Sequence, residues 1–176
     1  MDLPVNQFKR AIASGKPPVG TWLSSGSPAT AEALGSAGFD FLVVDTEHTP
    51  IDVPQMTEIL RAVAGTPAAA VVRPPWNDMV MTKRMLDAGA QTLLFPFVQN
   101  EDEAKRAVAS TRYPPAGVRG VAGTHRGSRF GTIPNYLKVA ANEICVIVQI
   151  ETLTALARLE AIAAIDGIDS IFVGPN

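Results

Sequence analysis

Six short apolar runs alternate with helix-patterned stretches along this chain, and no hairpin signal joins any two of them. The runs occupy residues 19–23, 41–45, 69–73, 92–96, 144–151 and 170–175. A strand buried on both faces reads as continuous apolar sequence, and such strands belong to parallel sheets covered by helices. Parallel neighbours need a long crossover, so the alternation predicts an α/β protein. At 176 residues, 47% of them apolar, the chain can bury a core of that kind.

The stretches between the runs carry helix punctuation. Residues 6–14 make a short helix with Phe8 and Ile12 as its apolar positions, closed by Gly15 and two prolines. Ser27-Pro28 is a capping hydroxyl followed by proline at the first helical position, and the helix it starts ends at Gly38. Asp52 begins a helix whose Met56, Ile59, Leu60 and Val63 share one face. Asn77 or Asp78 caps the next, with Met81, Met85 and Leu86 inward and Gly89 past its end. Asn100 caps a helix through Val108, another is expected near 134–141, and Leu156, Leu159 and Ile162 face inward on the last. Residues 111–133 break the rhythm with Pro114, Pro115, five glycines, His125, Arg126 and Arg129. A long loop inside a compact fold is usually functional, and His125 within it reads as either mobile surface or a substrate contact.

Two architectures fit, an open doubly wound sheet and a (β/α)8 barrel. No Gly-x-Gly-x-x-Gly follows the first run, which weakens the dinucleotide-binding open sheet. Six βα units are what a (β/α)8 TIM barrel shows when it is incomplete at the C-terminus, and residues 1–176 are read as a single such domain.

Ionisable residues gather at the carboxyl ends of the runs, where α/β proteins place their chemistry. The second run ends in Asp45 with His48 close behind, the third in Arg73, the fifth in Gln149 and Glu151, the sixth in Gly174-Pro175. Each has a plain structural alternative. His48 could be a loop histidine bonded to Asp45, Arg73 a structural partner of a carboxylate, and Glu151 a helix cap. Asp87 sits in the last turn of a helix, where an acid opposes the dipole, so a partner such as Arg73 or His48 is expected. Together the set suits one reaction class. A glutamate with a second carboxylate fits a hard divalent cation such as Mg2+ or Mn2+, while two distant histidines disfavour zinc. Arginine beside it would hold charge developing on oxygen, and a histidine oriented by aspartate is a general base. No cysteine, serine or lysine stands out as a nucleophile, which points to metal-stabilised enolate chemistry.

Other classes are disfavoured. A formal charge of −2 without a basic block argues against nucleic acid as partner. The one cysteine, Cys145, lies in an apolar run and reads as a small buried hydrophobe. No stretch reaches the ~18 to 20 apolar residues of a membrane span. Met1-Asp2-Leu3-Pro4 opens no signal peptide, so a cytoplasmic location is expected.

The segment from Phe39 through Asp45, Thr46, Glu47 and His48 to Pro50 resembles the signature of the HpcH/HpaI family of class II pyruvate aldolases. That family includes 4-hydroxy-2-oxoheptanedioate aldolase and 2-dehydro-3-deoxyglucarate aldolase. The segments at 71–74, 83–90, 110–115, 117–120, 148–151 and 172–175 are similar to family segments in the same order. Thr124-His125-Arg126 and Phe130-Gly131-Thr132 resemble the sugar-acid aldolase loop, while Thr46 stands where glycine is frequent.

The resemblance implies a barrel of the phosphoenolpyruvate/pyruvate type in which Glu151 and a carboxylate just after Asn176 bind Mg2+, Mn2+ or Co2+. It implies that Arg73 stabilises a pyruvate enolate and that a His48–Asp45 dyad moves the hydroxyl proton through a water. Asp87 would support the dyad, Gln149 would line the site, and the backbone at Gly174, Pro175 and Asn176 would hold the pyruvate carboxylate. It further implies a homo-oligomer, a hexamer built as a trimer of dimers with a swapped last helix. Two alternatives stand beside this reading: an acyl-CoA carbon–carbon lyase like the citrate lyase β subunit or malyl-CoA lyase, and a truncated barrel that only binds an oxo acid. The acyl-CoA lyase should carry an adenosine-binding surface with extra basic residues, which this sequence lacks.

Overall fold

The computed structural model describes residues 1–175. The Asn176 contact expected above lies outside them. All six runs are strands: β1 Gly20–Leu23, β2 Phe41–Asp45, β3 Ala69–Arg73, β4 Thr92–Phe95, β5 Cys145–Ile150 and β6 Ser170–Val173. They pair in parallel, in the order β1-β2-β3-β4-β5-β6. A doubly wound sheet reverses its order at a switch point, whereas a barrel adds each strand beside the last. The unbroken order selects the barrel, and the sheet curls far enough for side chains of its first and last strands to touch. Trp22 on β1 and Phe172 on β6 meet edge to face, ring centroids 6.0 Å apart.

The helices are α1 Gln7–Ala13, α2 Pro28–Gly35, α3 Val53–Val63, α4 Met79–Asp87, α5 Glu101–Thr111, α6 Tyr136–Val139, α7 Leu153–Leu156 and α8 Leu159–Ala163. Side chains of Ser27, Asp52, Asp78, Asn100 and Thr152 each accept from the backbone amide three residues on, satisfying donors a helix start leaves free. Gly89 closes α4 at φ +102, a conformation other residues adopt at a steric cost. On α3, Met56, Ile59, Leu60 and Val63 are buried, each worth about 1.5–3 kcal/mol relative to exposure.

Three local expectations change. Helix α5 continues to Thr111 rather than Val108. Thr82 is fully buried beside Met85 and Leu86 on α4, while Met81 is only partly covered. The last helix breaks at Arg158 (φ −111, ψ 10) into α7 and α8. Ala155, Leu159 and Ile162 form the inward face, and Leu156, one position round, is half exposed.

Alternation along the strands divides the core. Leu42, Val44, Val72, Leu93, Phe95, Val146, Val148 and Ile150 face the helices. Val43, Val71, Leu94, Cys145 and Ile147 fill the concave side together with Phe8 from α1. Burial pushes the Cys145 thiol up to about 12, so it packs as a hydrophobe.

Helix α1 plugs the amino end of that concave side. The Phe8 ring meets Phe41 edge to face at 5.0 Å. Buried Asn6 caps α1, and its amide nitrogen donates to Thr92 Oγ1 (2.9 Å), Glu143 O (3.0 Å) and Gln91 O (3.2 Å). Its own backbone N–H donates to Glu143 Oε2 at 2.7 Å. Asn6→Ala should therefore lower unfolding free energy by about 2 to 4 kcal/mol, a lost cap plus stranded buried acceptors. Urea unfolding curves measure it, and a change inside experimental scatter would deny the plug its role.

Candidate active site

Pleat and register assemble the site. In a parallel sheet, residues two apart share a face, so Val43 and Val71 on the concave side carry Asp45 and Arg73 with them at the strand ends. The register sets Asp45 beside Arg73. Arg73 then closes a fork on it: Nε donates to Oδ1 at 3.0 Å and Nη2 to Oδ2 at 2.9 Å. Both side chains are nearly buried, 10% and 5% exposed. The Trp22 ring covers the guanidinium, 4.2 Å from Cζ to the ring centroid, a favourable face for a cation.

A second carboxylate reaches this guanidinium directly, and a third is linked to it only through Gln149. Glu47 Oε2 lies 3.2 Å from Arg73 Nε, but the Nε hydrogen is directed to Asp45. The contact is therefore an ion pair without a hydrogen bond, and Glu47 Oε2 is buried with no donor. Arg73 Nη1 leans on Gln149 Oε1 at 3.5 Å, and Gln149 Nε2 donates to Glu151 Oε2 at 3.0 Å. Glu151 Oε1 accepts the backbone N–H of Phe97 at 2.7 Å.

The two neighbouring acids titrate in opposite directions. Burial alone would raise Asp45, but the Arg73 hydrogen bond and charge, with the amides of Glu47 and His48, hold it below the ordinary carboxylate range. Glu47 is raised: burial dominates, Arg73 and His48 offset it in part, and the charges of Glu151 and Asp45 add to it. Three acids against one guanidinium leave excess negative charge and a buried oxygen lacking a donor. That donor set fits a hard, oxygen-seeking divalent cation. Among the described residues no three such side chains converge tightly enough to hold a metal by themselves.

Gly174 and Pro175 follow β6 to the same edge, and the Gly174 amide donates to Ile150 O at 3.0 Å. A Cβ at residue 174 would stand 2.8 Å from Gln149 Nε2, so the bare backbone leaves room for that amide. Gly174→Ala should displace the flexible Gln149 tip and cost less than about 1 kcal/mol of stability. A melting curve measures it.

Two expected pairings are corrected. The Asp45 carboxylate is occupied by Arg73 and by the amides of Glu47 (3.1 Å) and His48 (3.3 Å). It therefore holds His48 through the backbone, and the imidazole, 72% exposed, has Glu47 as its acidic neighbour at 3.6 Å. Asp87 does not join this edge. A helix returning between parallel strands ends at their amino edge, and there Asp87 binds fully buried Arg119 at 2.7 Å, with His125 Nε2 at 3.7 Å. Arg119 is the partner its position on the helix required. The 111–133 excursion lies on that side too: Arg126 Nη1 donates to Ala88 O, and His125 Nδ1 accepts from Ser128 in a tight turn. Burial lowers His125 and outweighs the pull of Asp87. A hollow of about 250 Å³ between the excursion and α6, lined among others by Gly123, Ile133, Tyr136 and Lys138, does not include any residue of the carboxyl strand ends.

The structure adds Glu47, Trp22 and the Phe97 amide. Signals for the first two existed: Glu47 stands two residues past Asp45, and Trp22 two past Gly20 on the same strand face.

Six parallel strands in barrel order, with acid, amide and guanidinium groups converging at their carboxyl edge, define an enzyme of the (β/α)8 class. The pattern of the HpcH/HpaI aldolase/citrate lyase family matches residues 19–176, and the chain belongs to that family. It is 51% identical to the hydroxypyruvate/pyruvate aldolase of Sagittula stellata, over 99% of this chain and 69% of that protein. It is 52% identical to the 4-hydroxy-2-oxo-heptane-1,7-dioate aldolase of Salmonella heidelberg, over 97% of this chain and 65% of that protein. The crystal structure of an HpcH/HpaI aldolase/citrate lyase family protein from Burkholderia cenocepacia superposes with a TM-score of 0.93 at 43% identity, covering 97% of this chain and 69% of that one. The chain thus spans about two thirds of the length of these relatives.

Proposed function

We propose that this chain carries the catalytic face of a cytoplasmic, metal-dependent aldolase that reversibly cleaves 4-hydroxy-2-oxo acids into pyruvate and an aldehyde. One observation carries the reading: buried Arg73, locked by Asp45, shares a strand edge with Gln149 and Glu151. The names of the two aldolase relatives agree with it.

In the cleavage direction the C3–C4 bond breaks, its electrons pass to the C2 oxo oxygen, and the C4 hydroxyl loses its proton to become the aldehyde. Arg73 receives the charge. A guanidinium has five N–H donors; Asp45 takes two and Gln149 a long third, leaving two for the oxyanion. Their direction is set before substrate arrives, which is where electrostatic catalysis is strongest. His48 takes the hydroxyl proton, through a water, on its exposed imidazole, which the Asp45–His48 amide contact and Glu47 hold at the rim. Gln149 and the backbone at Gly174-Pro175 orient the pyruvate end. Glu151 would hold a Mg2+, Mn2+ or Co2+ ion, which when bound supplies Lewis acidity to the oxo acid.

The reading includes a homo-oligomer. Val118, Val121 and Phe130 of the amino-edge excursion and Leu137 of α6 are all about half exposed or more, an apolar surface suited to a second copy. Light scattering measures the assembly. The activity is tested by following pyruvate released from a 4-hydroxy-2-oxo acid, with and without EDTA. Release abolished by the chelator and restored by Mn2+ is expected. Undiminished release in EDTA would remove the metal from the reaction, and no release with any cation would end the aldolase reading.

A further inference from the structure

We infer that Phe97 is a positioning residue for Glu151: its left-handed backbone, locked by the Trp76 ring, delivers the amide that fixes the carboxylate. The inference rests on the reading of Glu151 as the cation's ligand and adds what holds that ligand in place.

Phe97 follows β4 with φ +53. A bulky residue meets a steric penalty there, and glycine does not. Retaining phenylalanine means the surroundings hold that conformation, and two sets of contacts do so. The Phe97 ring packs on Trp76, from the loop after β3, with centroids 5.7 Å apart and planes tilted by 31°. The next residue, Val98, is fully buried, and its N–H reaches Gln149 O at 3.3 Å.

The consequence is directional. In an extended strand, consecutive amides point to opposite sides. At 97–98 both amides turn to the end of β5, one to the Glu151 carboxylate at 2.7 Å and one to the Gln149 carbonyl. A left-handed residue is what lets successive N–H groups face one acceptor region. With Gln149 Nε2 on the other oxygen, Glu151 has one donor on each oxygen and a lone pair on each still free. Its side chain is ordered before any cation arrives, as supporting hydrogen bonds do for metal ligands. Trp76 and Phe97 are both about half exposed, so their mutual packing, rather than burial, is what the ring contributes.

The test compares Phe97→Ala, Phe97→Gly, Trp76→Ala and Trp76→Phe by titrating Mn2+ alone, without substrate, and reading free Mn2+ by electron paramagnetic resonance. Alanine keeps the penalty of positive φ and loses the ring, so the backbone relaxes and Mn2+ binds about tenfold or more weakly. Glycine takes positive φ freely and should bind within about threefold of the parent. Trp76→Ala should behave like Phe97→Ala, and Trp76→Phe should restore most of the affinity. Phe97→Ala binding Mn2+ like the parent, or alanine and glycine losing equally, would overturn the inference. So would a Trp76→Ala change seen only in oligomeric state, which would make the aromatic pair a contact between copies. Glu151→Gln separates the two levels. If it binds Mn2+ like the parent, the assignment of Glu151 as ligand fails. If the Phe97 amide proton, expected downfield on a carboxylate, does not move upfield in that variant, the positioning role fails.

Discussion

Arg73→Ala should abolish pyruvate release from a 4-hydroxy-2-oxo acid and slow the decarboxylation of oxaloacetate as well. Both reactions leave negative charge on the same oxo oxygen, which the proposed mechanism sets against the two free donors of the Arg73 guanidinium. Removing a single preorganised donor commonly costs ~10²–10³ in rate, and a charged pair of donors at least the upper figure. The variant also strands the Asp45 carboxylate, 5% exposed, without its partner, which typically costs about 3–5 kcal/mol. The sign of its pH dependence follows. In the parent, Asp45 is held below its unfolded value of 3.8, so its contribution is present above that value and is lost as pH falls through the folded pKa. In the variant burial acts without Arg73 and raises the folded pKa, so stability falls as pH rises through that raised value. The gap between parent and variant should therefore widen from about pH 4 to pH 7, measurable by urea unfolding at both. Arg73→Lys should recover part of the stability and little of the rate, because an ammonium cannot reproduce the fork. Parental turnover in Arg73→Ala would rule out its assigned role.

His48→Ala should separate the two reactions that Arg73→Ala affects together. Cleavage removes a hydroxyl proton and should slow by ~10²–10⁴, the range of a lost general base. Decarboxylation of oxaloacetate expels carbon dioxide with no substrate proton to remove, the enolate afterwards taking one from solvent, and should stay within about threefold of the parent. The imidazole is 72% exposed, so stability should change by less than about 0.5 kcal/mol. Equal slowing of both reactions would make His48 an architectural residue; no slowing of either would place the base elsewhere.

What could be read in advance divides along a physical line. Strand positions, the caps at Ser27, Asp52, Asp78 and Asn100, and the buried face of α3 rest on interactions within a few residues, and they appear where expected. The sequence offers the Asp45–Arg73 fork only as one alternative for Arg73, because it spans 28 residues and depends on strand register. Asp87 lies at the amino edge, away from Arg73 and His48, because a helix between parallel strands runs back to that edge; strand and helix direction carry this placement in the sequence. Leu156 is half exposed for a smaller reason: a break at Arg158 shifts the inward face by one residue, to Ala155.

The order of apolar runs was enough to determine parallel strands, and the residue types at their ends were enough to determine a polar carboxyl edge, since period and strand direction are local properties. Which acid faces Arg73, that Glu47 keeps an oxygen without a donor, and that an amide from Phe97 holds Glu151 were decided only when the sheet curled. Those contacts join residues 26 to 76 positions apart, and burial together with Arg73 then moves Asp45 down and leaves Glu47 raised.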